Sequence, residues 1–322
     1  MGCSMIQARL APLCGVTDYI FRELCFEQGC ETAYTEMVSA MGYLCAPKQR
    51  AVQDLLIRGE KEKKLIVQLF GRDPETVGEA AKRMEALERF DGIDLNMGCP
   101  AHKIALSGEG CGLMRTPKIA EQMMRLTVKA VSLPVSVKMR LGWDDDHKNA
   151  LEIARIAQDA GITEITVHGR TRQQQYSGLT DWNAIFSIAD QVNIPVFGNG
   201  DIVSGVQAQT LLQGSSVAGV MIGRGAMGNP WIFRELNDLN HGRNPEPVSL
   251  VERFQMIDEH YRRMLSWKPE HIAVREMRKH VGWYLHGLRG ASRARNEINH
   301  AESVAQVQLI LEQIRNELER SQ

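Results

Sequence analysis

The 322-residue sequence has no apolar run near the roughly 20 residues that a membrane-spanning helix needs. Nor does it open with a charged region followed by an apolar signal segment, so the expected location is the cytoplasm, with no membrane partner. The opening Met1-Gly2-Cys3-Ser4-Met5-Ile6 does not complete a myristoylation signal, because Ile6 stands where Ser or Thr is needed. The seven cysteines (Cys3, Cys14, Cys25, Cys30, Cys45, Cys99 and Cys111) are odd in number and form no C-x-x-C pair. That argues against a disulfide framework and against a zinc site, so no metal is expected. Net charge is also missing: 38 basic residues nearly cancel 39 acidic ones, and the whole-chain value of −1 carries no nucleic-acid signal.

A strong alternation of short apolar runs with longer amphipathic stretches is present instead. Eight segments read as strands buried on both faces: Arg9–Pro12, Thr32–Met37, Leu65–Phe70, Gly92–Met97, Pro134–Leu141, Glu164–His168, Ile194–Gly198 and Ala218–Ile222. Helix signals lie between them, with Asp73-Pro74-Glu75 opening Thr76–Leu87, Thr116-Pro117 opening Lys118–Val131, and Ser204 opening Gly205–Gln213. Eight strands alternating with helices predict an α/β protein of the (β/α)8 TIM-barrel class over residues 1–240. A polar linker over 241–247 then leads to a smaller all-helical domain over 248–322. Between Tyr261 and Arg295 nine Lys or Arg face two acidic residues, a local +7, so with −1 overall the remainder carries −8. A solvated helical face explains such a run, and so does a polyanion-binding face.

Active sites of such barrels lie at the carboxyl ends of the strands. Here those ends supply Pro12-Leu13-Cys14-Gly15, Glu36, Gln68, Asn96 to Pro100, Lys138 to Arg140, His168-Gly169-Arg170, Asn199-Gly200-Asp201 and Gly223-Arg224-Gly225. One polar residue at a strand end is an ordinary satisfied group; eight in phase form a candidate site. Gly223-x-Gly225-x-x-Gly228 matches the dinucleotide fingerprint, but no second parallel strand ending in an acidic residue follows. The loops after strands seven and eight read better as a barrel phosphate site, and a single phosphate monoester there suggests FMN. Lys138 would favour a reduced, anionic flavin ring, and Gln68 could meet its opposite edge. Cys99, between Gly98 and Pro100, opens a glycine-rich stretch through Ser107 to Gly112 that reads as a mobile loop. As a general acid its thiol must stay protonated near neutrality, which an unperturbed thiol does; as a nucleophile it would need a base, and only His102 is near.

The ordered set of these segments resembles the tRNA-dihydrouridine synthases, most nearly the bacterial type B branch. The resemblance rests on Ala11-Pro12, Gly15 to Asp18, Phe21-Arg22, Gln68, Asp94 to Pro100, Val137 to Trp143, Val167 to Arg172, Gly198 to Ile202 and Met221 to Gly225, with Arg278-Lys279-His280 and Trp283-Tyr284 in the tail. It implies a flavin-dependent oxidoreductase that reduces the C5=C6 bond of particular uridines in tRNA to dihydrouridine, with tightly bound FMN and NADPH as reductant. It assigns Cys99 the role of proton donor to C5. Pro12, Leu13, Cys14, Gln68, Lys138, His168, Asn199, Gly200, Asp201, Gly223 and Arg224 would hold the flavin, and Asn96, Arg140, Arg170, Arg278 and Lys279 the substrate. A monomer is expected. The chain departs from the family pattern at Leu13-Cys14, usually Met and a small or acidic residue, and at Gly110-Cys111-Gly112, usually Gly-x-Ala.

Two other readings of the residues stay open at this point. A flavin barrel acting on a free small pyrimidine or other enone accounts for the strands and the thiol but leaves the basic tail unused. A non-catalytic RNA-binding protein on a degenerate barrel accounts for the tail alone.

Overall fold

A computed structural model describes residues 5–320; Met1–Ser4, the start of the rejected lipidation motif, lies outside the described residues. Eight parallel strands close into a barrel: β1 (Gln7–Leu10), β2 (Thr32–Tyr34), β3 (Leu65–Phe70), β4 (Gly92–Met97), β5 (Val135–Arg140), β6 (Glu164–His168), β7 (Val196–Asn199) and β8 (Gly219–Ile222). Closure is made by β1 pairing with both β2 and β8, and by β2 pairing with β3. The predicted second strand is interrupted at Thr35 to Met37, and the chain pairs again with β3 only over Val38–Ser39. The first strand starts two residues earlier than expected. Proline has no N–H to give the ladder, so Pro12 falls beyond the strand and opens the loop at the barrel mouth.

The barrel helices begin where their caps predict. Asp73 accepts from the Thr76 amide with Pro74 at the first helical position, and Ser204 accepts from the Gln207 amide. Their apolar faces and the strands form one large core that includes Leu65, Val67, Ile93, Val137, Ile165 and Ile222. The helical tail comprises Leu250–Trp267, Glu270–Tyr284, Ala291–His300 and Val304–Glu319. A second apolar cluster joins these helices to Ile20, Leu24 and Trp231 of the barrel. Lys279 donates to the Gly15 carbonyl in the loop after β1, which brings the tail to the rim of the mouth.

Gly228, the third glycine of the fingerprint-like string, has φ +68°, and a side chain there would collide with the Trp283 backbone. That glycine is required for close approach of barrel and tail and has no part in holding a dinucleotide. The glycines beyond Cys99 also differ from expectation. Residues Gly110–Arg115 form a turn of 3-10 helix in which Gly110 to Met114 are buried. A Cβ on Gly110 would strike the Cys99 side chain, and one on Gly112 would collide with the Ala105 carbonyl. At 110 and 112 glycine is required by tight packing, whereas Gly108, with φ +85°, has open space around it.

Candidate active site

Parallel register sets the polar strand ends side by side: Asn96 opposite Lys138, Arg140 opposite His168, and His168 opposite Asn199. Because alternate side chains share a face, Lys138 and Arg140 both reach the mouth. A cavity of about 850 Å³ lies there. Its lining includes Pro12, Leu13, Cys14, Gln68, Asn96, Cys99, Lys138, Arg140, His168, Asn199, Gly200, Asp201, Gly223 and Arg224. Residues from every part of the barrel sequence are thus gathered into one space.

Cys99 is half-buried at the edge of this cavity, and burial pushes its thiol pKa up. A thiol so placed is protonated at neutral pH. Its backbone N–H donates to Asn96 Oδ1 at 2.9 Å, and its carbonyl accepts from the Cys111 amide at 3.2 Å. The Cys111 thiol is fully buried, pushed up to about 12 by that burial, and within reach of the Gly142 carbonyl. It is a packing group behind the loop.

Lys138 Nζ donates to Asn199 Oδ1 at 3.1 Å, and Asn199 Nδ2 donates to the Met221 carbonyl at 2.7 Å. Burial, with the Arg140 charge beside it, lowers the Lys138 ammonium to about 8. His168 is held neutral by burial and by the surrounding cations Lys138, Arg140, Arg170 and Arg224. Arg140 uses Nε and Nη1 on the carbonyls of Gly98, Thr171 and Gln175, at 2.8 to 2.9 Å, so it braces the Cys99 loop as well as lining the cavity.

The remaining sequence-predicted residues are placed differently. Arg170 is 1% exposed and is not part of the cavity lining; its guanidinium is forked onto Asp201 and donates to Thr180 Oγ1 and to the carbonyls of Ser177 and Gly178. Burial works to raise the Asp201 carboxyl, but hydrogen bonds from Arg170 and Thr180 prevail and hold it below its ordinary range. Arg278 donates to the Ala301 carbonyl within the tail, and Lys279 is spent on Gly15. Sequence reasoning missed Tyr176. Its ring is half-exposed at the mouth, 4.8 Å from the Arg224 guanidinium and 5.7 Å from that of Arg140. A lone tyrosine in a polar loop gives no periodic signal, and only its place after the β6 end could have drawn notice.

Among the described residues no group of three or more His, Cys, Asp or Glu is placed to hold a metal ion, and no helix is long and apolar enough to cross a membrane. Comparison with known proteins places this geometry in context. Residues 9–320 match the Dihydrouridine synthase (Dus) family. A probable tRNA-dihydrouridine synthase of Rickettsia conorii is 40% identical over 291 residues, 90% of this chain and 87% of that protein. The tRNA-dihydrouridine synthase B of Shewanella oneidensis is 37% identical over 313 residues, 97% of this chain and 96% of its own. That of Pseudomonas aeruginosa is 39% identical over 294 residues, 91% and 88% respectively. The matched region contains every strand end that lines the cavity and extends through the four tail helices, and on that basis the chain belongs to the dihydrouridine synthase family.

Proposed function

We propose that the protein reduces the C5=C6 bond of uridines in tRNA, with FMN at the barrel mouth, NADPH as reductant and Cys99 as the proton donor. One observation carries this reading: a single cavity joins a protonated thiol, a buried ammonium and two glycine-bearing loops. The fit of FMN is supported by the backbone. Arg224 and Gly225 open a 3-10 turn, and their N–H groups donate to no acceptor among the described residues. A Cβ on Gly225 would collide with the Ile202 carbonyl, and one on Gly200 with Thr180, so both loops keep bare backbone at the site.

When bound, FMN supplies the hydride equivalent to C6 of the uracil ring. The protein's part is to hold the ring, stabilise negative charge that develops toward O4, and protonate C5. Lys138 and Arg140 provide cationic donors, neutral His168 adds a polar group without further charge, and Cys99 lies on the loop after the neighbouring strand with its proton in place. Tyr176, flanked by two guanidiniums, offers a ring at the entrance for an unstacked base, which must leave the RNA fold to reach the mouth. The deciding experiment supplies tRNA that lacks dihydrouridine, with NADPH, and measures dihydrouridine by mass spectrometry. A yellow protein with about one FMN per chain that forms no dihydrouridine in tRNA, yet reduces a free pyrimidine, would overturn the reading.

Lys138 gives this activity a pH limb. An ammonium with its pKa brought down to about 8 is charged below that pH and neutral above it. Uridine reduction is therefore expected to fall as pH rises through about 8, and Lys138→Arg, which keeps its charge, should move that limb upward. The pH dependence of the single-turnover rate checks this.

The tail would carry the tRNA. Since Arg278 and Lys279 are engaged within the protein, the charges free to meet phosphate include Arg275 and Arg295, both exposed and without a polar partner among the described residues. Arg275→Glu with Arg295→Glu is expected to weaken tRNA binding and to flatten the log–log salt dependence by about 0.7–0.9 for each phosphate no longer neutralised. Flavin content should be unchanged, and filter binding at several salt concentrations reads the slope.

A further inference from the structure

The loop after β1 is held at its tip by two different parts of the molecule. It runs Pro12-Leu13-Cys14-Gly15-Val16, and all of these but Gly15 line the cavity. Its inner turn closes on itself: the Val16 and Thr17 amides donate to the Leu13 carbonyl at 3.0 Å, and the Leu13 amide donates to Thr17 Oγ1 at 2.9 Å. The exposed tip is tied to its surroundings at Gly15, which stands in the left-handed region at φ +71°. Gly15 N–H donates to the Glu36 carboxylate, just past the end of β2, and the Gly15 carbonyl accepts from Lys279 Nζ of the tail. A Cβ on Gly15 would lie 3.5 Å from that Nζ, so the ammonium rests against the turn itself.

We propose that Lys279 is a positioning residue: through the Gly15 carbonyl it seats the loop after β1 against the cavity, so that the tail completes the flavin site. The inference rests on the reading of that cavity as the place of FMN. Lys279 can act this way because its own helix, Glu270–Tyr284, is fixed by other contacts. Trp283 lies one turn further on the same face, and its backbone packs so closely on Gly228 that no Cβ fits between them. His280, 1% exposed, has its ring 5.4 Å from that of Phe21 in the helix Tyr19–Glu27, which follows the loop. The docked helix thus provides a rigid base, from which one flexible side chain reaches the turn. On the other side Glu36 holds the amide of the same residue, so an anion and a cation grip Gly15 where glycine's wide backbone freedom would otherwise leave the tip loose. The bonds within the turn keep its shape; the two ionic ones place it. This also accounts for a basic residue of the tail that lies at the rim of the mouth and yet is turned to a carbonyl of the barrel.

Lys279→Met keeps the aliphatic stem and removes the donor. Arg275→Met, at an exposed position of the same helix, removes an equal charge without reaching the loop and serves as the control. Two measurements on the full chain read the outcome: amide hydrogen exchange over residues 11–18 without flavin, and the Kd values of FMN and of riboflavin, which has the same ring and no phosphate. K279M is expected to speed exchange in the loop and to weaken FMN and riboflavin alike, by about three- to tenfold, as suits one charge-assisted bond at an exposed carbonyl. R275M should leave all three within about twofold of the parent. Unchanged loop exchange in K279M would overturn the proposal. So would weakened FMN with unaffected riboflavin, since the ammonium would then be attracting the phosphate and not seating the loop. Faster exchange across 270–284 as well would make Lys279 a docking contact of the tail, and lost tRNA affinity with parental flavin binding would make it a substrate contact; either result is equally fatal. A parent protein that binds neither flavin would overturn the proposed function, and the exchange measurement alone would still decide whether Lys279 seats the loop.

Discussion

Cys99→Ala is expected to lower uridine reduction by about 10²–10⁴, the usual effect of removing a general acid, while FMN content and the NADPH-dependent reduction of the flavin stay as they were. The separation follows from geometry. The thiol lies on the loop after β4, whereas the phosphate-type loops follow β7 and β8, and Lys138 is anchored to Asn199 on that side. Alanine removes the proton source without touching either. The effect should sit in the chemical step, so single-turnover reduction at saturating tRNA reads it directly, and KM should change little. Cys111→Ala is the control. Its thiol is buried, held far above neutrality, and packed behind the Cys99 loop, so uridine reduction should stay within a few-fold of the parent. Equal damage from the two substitutions would mean that the loop's packing, and not the Cys99 proton, limits the reaction.

The barrel was legible because its strands are short, apolar and separated by helices with caps or leading prolines, and both signals act locally. The cavity was legible for a related reason: parallel strands end on one side, so polar residues in phase along the sequence become neighbours in space. Cys99, Lys138 and Asn199, all at or just past strand ends, line that cavity. What escaped depends on three-dimensional closeness. Glycines at 110 and 112 look like flexibility in sequence, and only the positions of the Cys99 side chain and the Ala105 carbonyl show that no Cβ would fit. Gly228 completes a nucleotide-like string, yet its neighbour is the Trp283 backbone, more than fifty residues away in the chain. Arg278 and Lys279 count as basic residues in the tail, but hydrogen bonds to Ala301 and Gly15 take them inward. A charge count cannot tell a cation free in solvent from one already bonded to a carbonyl.

Arg170 shows the same distinction with the largest effect on stability. Its resemblance-based role is contact with substrate, whereas its guanidinium is 1% exposed and ties three pieces of chain together. Nε donates to the Ser177 carbonyl at 3.1 Å, Nη2 to the Gly178 carbonyl at 2.6 Å, and both terminal nitrogens reach the Asp201 carboxylate, at 2.5 and 3.1 Å. Asp201 itself has φ +55°, a left-handed conformation that side chains other than glycine seldom adopt, so the loop after β7 depends on this anchor. Arg170→Ala would leave the Ser177 and Gly178 carbonyls without this donor and the carboxylate with only Arg224, at 2.9 Å, as its cation. Breaking an ion pair from one side costs about 3–5 kcal/mol where both partners are buried and less here, where the Asp201 side chain is 33% exposed, so for a chain of this size Tm should fall by at most about 4–7 °C. Because the released loops bear Tyr176, Gly200 and Asp201, FMN content should fall with it. Arg170→Lys keeps the charge but not the fork, and should lie between the two. A substrate-contacting arginine would behave in the opposite way, with Tm and FMN content unchanged and KM for tRNA raised. Thermal unfolding and flavin content of the purified variants, compared before any tRNA is added, therefore decide whether Arg170 holds the site together or reaches into it.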